Sequence, residues 1–381
     1  MKIAIVADTY DNVNTGGTLS IRRLVRWLKD DGHTVRIVAT GEPYEGKFAV
    51  PGFYLPLLKP AMIKTNFIFG VPDPYVLSKA FADVDVVHAA FPFKLGKGSV
   101  RYALKLGIPT VASFHVQPEN ILYNIKMERL RAVTALLYRE NVRNFYNKAD
   151  IVHCPSRFAA EELARHGCTS PLRVISNGIP REIVKGGKSG KKPGGSHFVV
   201  LTVGRHAREK NQSSLIEAVR QSKLRNRIQL VIAGTGPITD RLRREGKDLP
   251  IPPIIDFLPD AELAEWRHRA DLYVHTSELE LESMSCLEAI GTGIVPLIAD
   301  SPLSAASQFA LDERSLFPSK NTEILTRRIE YWLKNPGERK DAGDRYSELA
   351  EQFSFRRTAA ETLEMYRECI SISRERFAHI N

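Results

Sequence analysis

"KIAIVADTYDNVNTGGTLSIRRLVRWLKDDGHTVRIVAT", residues 2–40, is the stretch on which the fold turns. Its first seven residues form an apolar, β-branched run without alternation, the pattern of a strand buried on both faces. TYDNVNTGGTLS follows as a turn-rich loop, IRRLVRWLKDDGH has helical spacing closed by Gly32, and TVRIVAT (34–40) is the next strand. Strand, glycine loop, helix and strand in so short a span predict a βαβ unit. The alternation recurs at DVDVVHAA (83–90), ALKLGIPTVASFH (103–115), ADIVHCPS (149–156) and PLRVISNGI (171–179).

The glycine- and lysine-rich segment 181–196, REIVKGGKSGKKPGGS, reads as a linker. After it the pattern restarts with strands in FVVLTVG (198–204), IQLVIAG (228–234), IIDFLP (254–259), ADLYVHTS (270–277) and GIVPLIAD (293–300). Helices are expected around 212–222 and 238–245, and a long amphipathic helix in 353–377. The expectation is an α/β chain of two Rossmann-like parallel-sheet domains, 1–180 and 197–356, facing a central cleft, with a last helix at about 357–381 packing back on the first. Ligands of such folds bind outside the carboxyl ends of the strands.

With 381 residues, 43% hydrophobic and 26% charged, the composition is globular and argues against disorder. Four scattered cysteines, Cys154, Cys168, Cys286 and Cys369, fit buried free thiols in a reducing compartment better than a disulfide frame or a zinc site. The apolar N-terminal run is cut at Asp8, too early for a signal peptide, and no window is long enough for a transmembrane helix. A cytoplasmic protein is expected. Net charge is +10, and residues 1–180 hold 23 Lys+Arg against 15 Asp+Glu, so +8 lies in the first half. Such asymmetry implies an anionic partner: nucleic acid, a phosphorylated ligand or an anionic lipid surface.

Three segments carry candidate chemistry. TGG (15–17) lies between a strand and a helix, where amides and the helix dipole face an anion; it reads equally as a tight turn. In VGRHAREKNQSSLIEAV (203–219), Arg205 and Lys210 lie just past a strand end, suited to phosphate or simply solvated. AGTGP (233–237) adds a second glycine loop at Gly234, for close approach of a nucleotide or for a turn. ELELESMSCLEA (278–289) sets Glu280, in the loop or first turn, and Glu288, roughly two turns along, eight residues apart, about 12 Å along the axis at 1.5 Å per residue. That is too far to share a proton or a metal, but it suits two polyol ends of one extended ligand such as a nucleotide sugar. Glu278 and Glu282 read as exposed companions or helix-start charges.

Taken in order, TGG, SFH (113–115), SNGI (176–179), the GRxxxEK-like segment, the E-x7-E pair and the ending FSFRRTAAETLEMY resemble the retaining glycosyltransferases of family four, which have the GT-B fold. The resemblance covers nearly the whole chain. It implies that Arg205 and Lys210 hold the donor diphosphate, Glu280 the hexose hydroxyls and Glu288 the ribose. It also implies that His115 lies near the anomeric carbon and that Gly16 and Gly17 close over the phosphates. Catalysis is assigned to His115, Arg205, Lys210 and Glu280. The donor site is assigned to Gly16, Gly17, Arg205, Lys210, Gly234, Leu258, Glu280, Met284, Ser285 and Glu288. No metal site and no cofactor beyond a UDP-sugar donor substrate are expected. His115 also reads as a structural histidine at a strand end.

One departure stands out: many members have Gly-Leu where this chain has Ser283-Met284, and Phe where it has Glu282. The wording of 280–289 and 304–317 resembles bacterial enzymes that glycosylate diacylglycerol or ceramide. The expected function is transfer of glucose or galactose from a UDP-sugar to a membrane lipid. A polyprenyl-linked glycan or a cell-surface polysaccharide is the alternative acceptor. The aromatic and aliphatic segment 54–70 and the basic helical pattern 121–148 suit an anionic membrane surface at the inner face of the cell membrane. In the helical pattern Leu122, Ile125, Leu130, Val133, Leu136 and Leu137 lie on or near one face, which also fits a core-packing helix. Nucleic acid is not expected as a partner, because no basic–aromatic binding motif is present. A dinucleotide oxidoreductase is disfavoured by the missing glycine fingerprint.

Overall fold

The structure, a computed structural model, describes residues 1–11, 16–56, 59–64, 67–124, 130–180, 182–183 and 197–378. Most of the expected linker at 181–196 therefore lies outside the described residues, as do Thr15 of the TGG loop and Ile125, Lys126 and Arg129 of the basic helical pattern.

The chain forms two compact units, Met1–Ser176 with Thr358–Asn381, and Asn177–Arg357. In the first, strands β1 (Lys2–Val6), β2 (Thr34–Ala39), β3 (Lys47–Ala49), β6 (Val86–Ala89), β7 (Thr110–Ser113), β8 (Ile151–Cys154) and β9 (Leu172–Val174) make one sheet in the order β3-β2-β1-β6-β7-β8-β9. Every pair in it is parallel. Such strands are sandwiched by helices, which is why their sequences are apolar on both faces. The helix Gly16–Asp30 buries Ile21, Leu24, Val25 and Leu28, a stripe at helical spacing, against this sheet. The helix Phe355–Ala378 runs almost wholly within the same unit and adds Leu363, Met365, Tyr366 and Cys369 to its core.

Two elements differ from expectation. A small antiparallel pair, β4 (Gly52–Phe53) with β5 (Phe69–Gly70), closes off the segment 54–70 read as a membrane-facing loop, which also carries a short helix, Lys59–Lys64. The basic helical pattern resolves into helices Pro118–Asn124 and Arg131–Asn144. The second buries Tyr138, Asn141 and Val142, while Leu130 and Leu136 stand 45% and 60% exposed, so the leucines do not form its core face.

The second unit repeats the plan with β10 (Phe198–Val203), β11 (Ile228–Ala233), β12 (Ile254–Asp256), β13 (Leu272–His275), β14 (Val295–Asp300) and β15 (Leu316–Pro318), ordered β12-β11-β10-β13-β14-β15. Its pairs too are parallel. In each sheet the strand order reverses beside the first strand, between β1 and β6 and between β10 and β13. Loops at the carboxyl ends of strands flanking such a reversal diverge, and a ligand crevice opens there.

Candidate active site

In the second unit the reversal is lined by the loop after β10 and the loop after β13. Gly204 follows β10 directly, and a Cβ on Gly234 would meet its carbonyl oxygen at 2.0 Å. Gly234 is thus required by the crossing of two backbones, quite apart from any ligand. The next residues are Arg205 and a short 3-10 turn, Arg208–Lys210, with Asn211 in the left-handed region at φ 50°. Asparagine tolerates that conformation better than most side chains.

The turn is laced to the loop after β13: Glu278 N donates to Glu209 O at 2.8 Å and Thr276 Oγ1 to Lys210 O at 2.7 Å. This brings the predicted Lys210 and Glu280 into direct contact, Lys210 Nζ pairing with Glu280 Oε1. His275 Nε2, at the last residue of β13, lies 3.2 Å from the same oxygen. Burial pushes the Glu280 carboxyl up, but Lys210 and His275 outweigh it and hold it down at about 2. Glu280 is therefore ionised at any physiological pH. Lys210 and His275 both meet Oε1, so among the described residues Oε2 keeps its lone pairs for another donor. Arg205 pairs with Glu209 Oε1 at 2.5 Å, and Glu209 is 2% exposed.

The helix runs Met284–Gly291, so Glu280 lies in the loop ahead of it and Glu288 within it; the axial spacing of about 12 Å, which needs helix throughout, does not apply. Glu288 is buried and forms an ion pair with Arg267, the two side chains 9% and 11% exposed. Glu278 and Glu282 are not exposed companions: they are 9% and 3% exposed. Glu278 meets Lys320 at 2.8 Å, and Glu282 accepts from Asn177 N at 3.0 Å and Asn177 Nδ2 at 2.6 Å. Buried carboxylates need such partners, and these ones come from distant chain positions. Met284 and Ser285 open the helix, where the first backbone N–H groups lack intrahelical acceptors. Ser285 Oγ accepts from Tyr273 Oη at 2.9 Å. Ser283, just ahead, sits at φ 82° with a buried Oγ that has no hydrogen-bond partner among the described residues. A glycine takes that conformation freely, which fits the Gly that the family resemblance implies at this position. Leu258 is 7% exposed and belongs to the core of the unit.

In the first unit Gly16 and Gly17 begin a helix beside β1. A Cβ on Gly17 would stand 3.2 Å from His115 Cβ and 3.3 Å from Phe91 Cε1, so the glycine leaves the space that the histidine fills. His115 Nε2 is out of solvent with no hydrogen-bond partner among the described residues. Burial, with His153 and His88 nearby, holds its pKa well below the ordinary range, so the ring is neutral. At the end of β1, Asp8 Oδ1 accepts from Gly70 N at 2.8 Å, and burial raises this carboxyl to about 7.

Sequence reasoning passed over Glu209, His275, Asn177 and Arg267. Glu209 and Asn177 lie inside quoted motifs, and His275 ends a strand near its partner loop. Arg267 carries no local signal. Among the described residues no group of three or more His, Cys, Asp or Glu is arranged to hold a metal ion.

The fold and these strand-end loops define the GT-B class of glycosyltransferases. Anabaena Alr3699/HepE in complex with UDP superposes with a TM-score of 0.74 over 97% of this chain and all of that one (100%), at 15% identity. Sucrose-phosphate synthase from Thermosynechococcus elongatus gives 0.73 over 97% of this chain and 99% of that one, at 16% identity. Residues 15–183 match Glycosyltransferase Family 4 and residues 188–348 match Glycosyl transferases group 1. A GDP-mannose-dependent alpha-mannosyltransferase of Mycolicibacterium smegmatis is 30% identical over 318 residues, 78% of this chain and 79% of that protein. The alpha-monoglucosyldiacylglycerol synthase of Streptococcus pneumoniae is 26% identical over 323 residues, 78% of this chain and 71% of that one. The chain belongs to glycosyltransferase family 4.

Proposed function

We propose that this glycosyltransferase moves a hexose, glucose or galactose, from a UDP-sugar to a membrane lipid alcohol such as diacylglycerol, with retention at the anomeric carbon. The observation that carries the reading is Glu280: ionised, held through one oxygen by Lys210 and His275, with its second oxygen open to sugar hydroxyls. In this reading Arg205 and Lys210 neutralise the leaving diphosphate, aided by the amides of Met284 and Ser285 at the helix start. Gly234 and Leu258 flank the base, Glu288 takes the ribose, and Gly16 and Gly17 cover the phosphates beside His115. Charge builds on the leaving diphosphate as the bond breaks, so fixed cations there supply a large share of the rate. The departing phosphate oxygen takes the acceptor proton, and neither a metal nor a further cofactor enters the scheme.

The lipid acceptor is supported by the S. pneumoniae relative and by the basic first half, with Leu55, Ile63, Leu130 and Leu136 exposed on the first unit. Among the described residues no helix is long and apolar enough to cross a membrane, and attachment to the inner face of the cell membrane is peripheral in this scheme. A second reading, GDP-mannose as donor, is favoured by the M. smegmatis relative. Incubation with UDP-glucose, UDP-galactose and GDP-mannose, each with diacylglycerol in anionic vesicles, separates the two. Glycolipid from a UDP-sugar supports the first reading, mannolipid from GDP-mannose supports the second, and no transfer from any donor refutes both.

A further inference from the structure

The first unit joins four polar side chains, from three strands and the C-terminal helix, into one buried chain of hydrogen bonds. Tyr366 Oη lies 2.7 Å from His88 Nδ1, and His88 Nε2 lies 2.6 Å from Ser113 Oγ. Ser113 Oγ is 2.9 Å from His153 Nδ1, and His153 Nε2 is 2.7 Å from the carbonyl oxygen of Ile175. None of the four residues is more than 8% exposed.

The positions of the hydrogens follow from one end. A carbonyl only accepts, so His153 Nε2 carries a hydrogen. Burial and the neighbouring His153 hold His88 down at about 3, and burial holds His153 at about 4 against the pull of the Ile175 carbonyl. Both rings are therefore neutral, with one N–H each. His153 Nδ1 is then a lone pair, and Ser113 donates to it. Ser113 must accept from His88 Nε2–H, which leaves His88 Nδ1 to accept from Tyr366 Oη–H. Every link is satisfied and every hydrogen points the same way. The opposite direction would aim a ring lone pair at the Ile175 oxygen and leave buried acceptors facing each other, with no compensating hydrogen bond.

Resting on the reading of His115 as a reaction-site residue, we propose that Tyr366, His88, Ser113 and His153 form a one-way relay that positions His115. His115 stands two residues beyond Ser113, and its ring meets that of His153 edge-on, centroids 5.6 Å apart. Its Nε2 has no hydrogen bond of its own among the described residues, so packing walls bear on its orientation. Gly17 and Phe91 form two walls and the His153 ring another. The relay fixes that last wall at both ring nitrogens, while Phe114 N donates to His153 O at 2.9 Å and ties the backbone between Ser113 and His115. The two ends of the relay are also telling. Ile175 lies just before the chain leaves this unit, and Tyr366 lies on the helix that returns to it.

The test uses the full chain with 15N-labelled histidine and two conservative variants, Y366F and S113A. Wild type is expected to show His88 and His153 as neutral Nε2–H tautomers at pH 7. In both variants the His115 ring resonances are expected to shift. Below the melting range, kcat should fall about 3- to 10-fold with donor KM unchanged, as small misplacements at a reacting centre do. The opposite tautomer in either ring overturns the proposal. So do unmoved His115 resonances, or wild-type kcat with only thermal stability lost. If wild type transfers no sugar from any donor, the functional reading fails, while the tautomers and the His115 shifts still decide the relay.

Discussion

The two units place their candidate groups at the same point of the same architecture, yet with opposite electrostatics. In the second, Lys210, Glu280, Arg205, Glu209, Arg267 and Glu288 are all engaged in ion pairs. In the first, His115 and the two histidines behind it are held neutral by burial. A partly buried charge survives only with a partner, and paired charges can exchange that partner for a phosphate or a hydroxyl. A neutral buried ring offers shape and a lone pair with no desolvated charge to compensate. The second unit thus answers with paired charges and the first with neutral, buried rings.

The sharpest way to break this contrast is K210M. It strips Glu280 of its main counter-charge and removes the cation proposed to neutralise the diphosphate, so kcat/KM should fall by about 10²–10³-fold; steady-state kinetics that change less than twofold would remove the ionic reading of the second unit. Acid comes next. Histidines held below their unfolded pKa stabilise the fold above pH 6.5 and lose that contribution as pH falls. Each of His88 and His153 should cost roughly 2 kcal/mol between pH 6.5 and 5. Asp8 has the opposite sign: its raised carboxyl stabilises below its unfolded pKa, and that contribution is lost as pH rises through about 7. Urea titrations should show the first unit weakening from pH 7 to 5, and D8N should enlarge the drop by about 2 kcal/mol. Glu280, held at about 2, keeps its contribution until pH falls through 4.5. A loss of equal onset in both units would erase the distinction.

Two smaller changes sharpen it. G17A places a methyl 3.2 Å from His115 Cβ and 3.3 Å from Phe91; crowding of this kind costs about 1–3 kcal/mol, and kcat should drop with the melting temperature. S283G relieves a serine at φ 82° and should leave stability within about 1 kcal/mol of wild type, on the stabilising side, by denaturant midpoint.

The βαβ plan was legible because buried parallel strands leave long apolar runs between glycine punctuation. The strands Lys47–Ala49 and Leu316–Pro318 and the pair Gly52–Phe53 with Phe69–Gly70 escaped, being two or three residues long and set by tertiary pairing. Arg205, Lys210 and Glu280 were legible as strand-end residues, and the structure puts Lys210 on Glu280. The burial of Glu278 and Glu282 was not, because their partners Lys320 and Asn177 lie 42 and 105 residues away and no local pattern reports them. His88 and His153 sat inside runs read simply as strands, and Ser113 inside a motif read only for its histidine. Polar residues at matching positions of neighbouring strands become a network only once the register is known.

The four cysteines have a practical consequence. Cys154, Cys286 and Cys369 are fully buried, and burial raises the thiols of Cys154 and Cys286 well above their ordinary range. Thiol reagents attack the thiolate, so these positions will resist labelling in the folded chain. Replacing the partly accessible Cys168 with serine leaves a background on which one new surface cysteine per unit can carry a dye. A fluorescence ruler between the two dyes can then follow the enzyme in solution while donor and acceptor are added in turn.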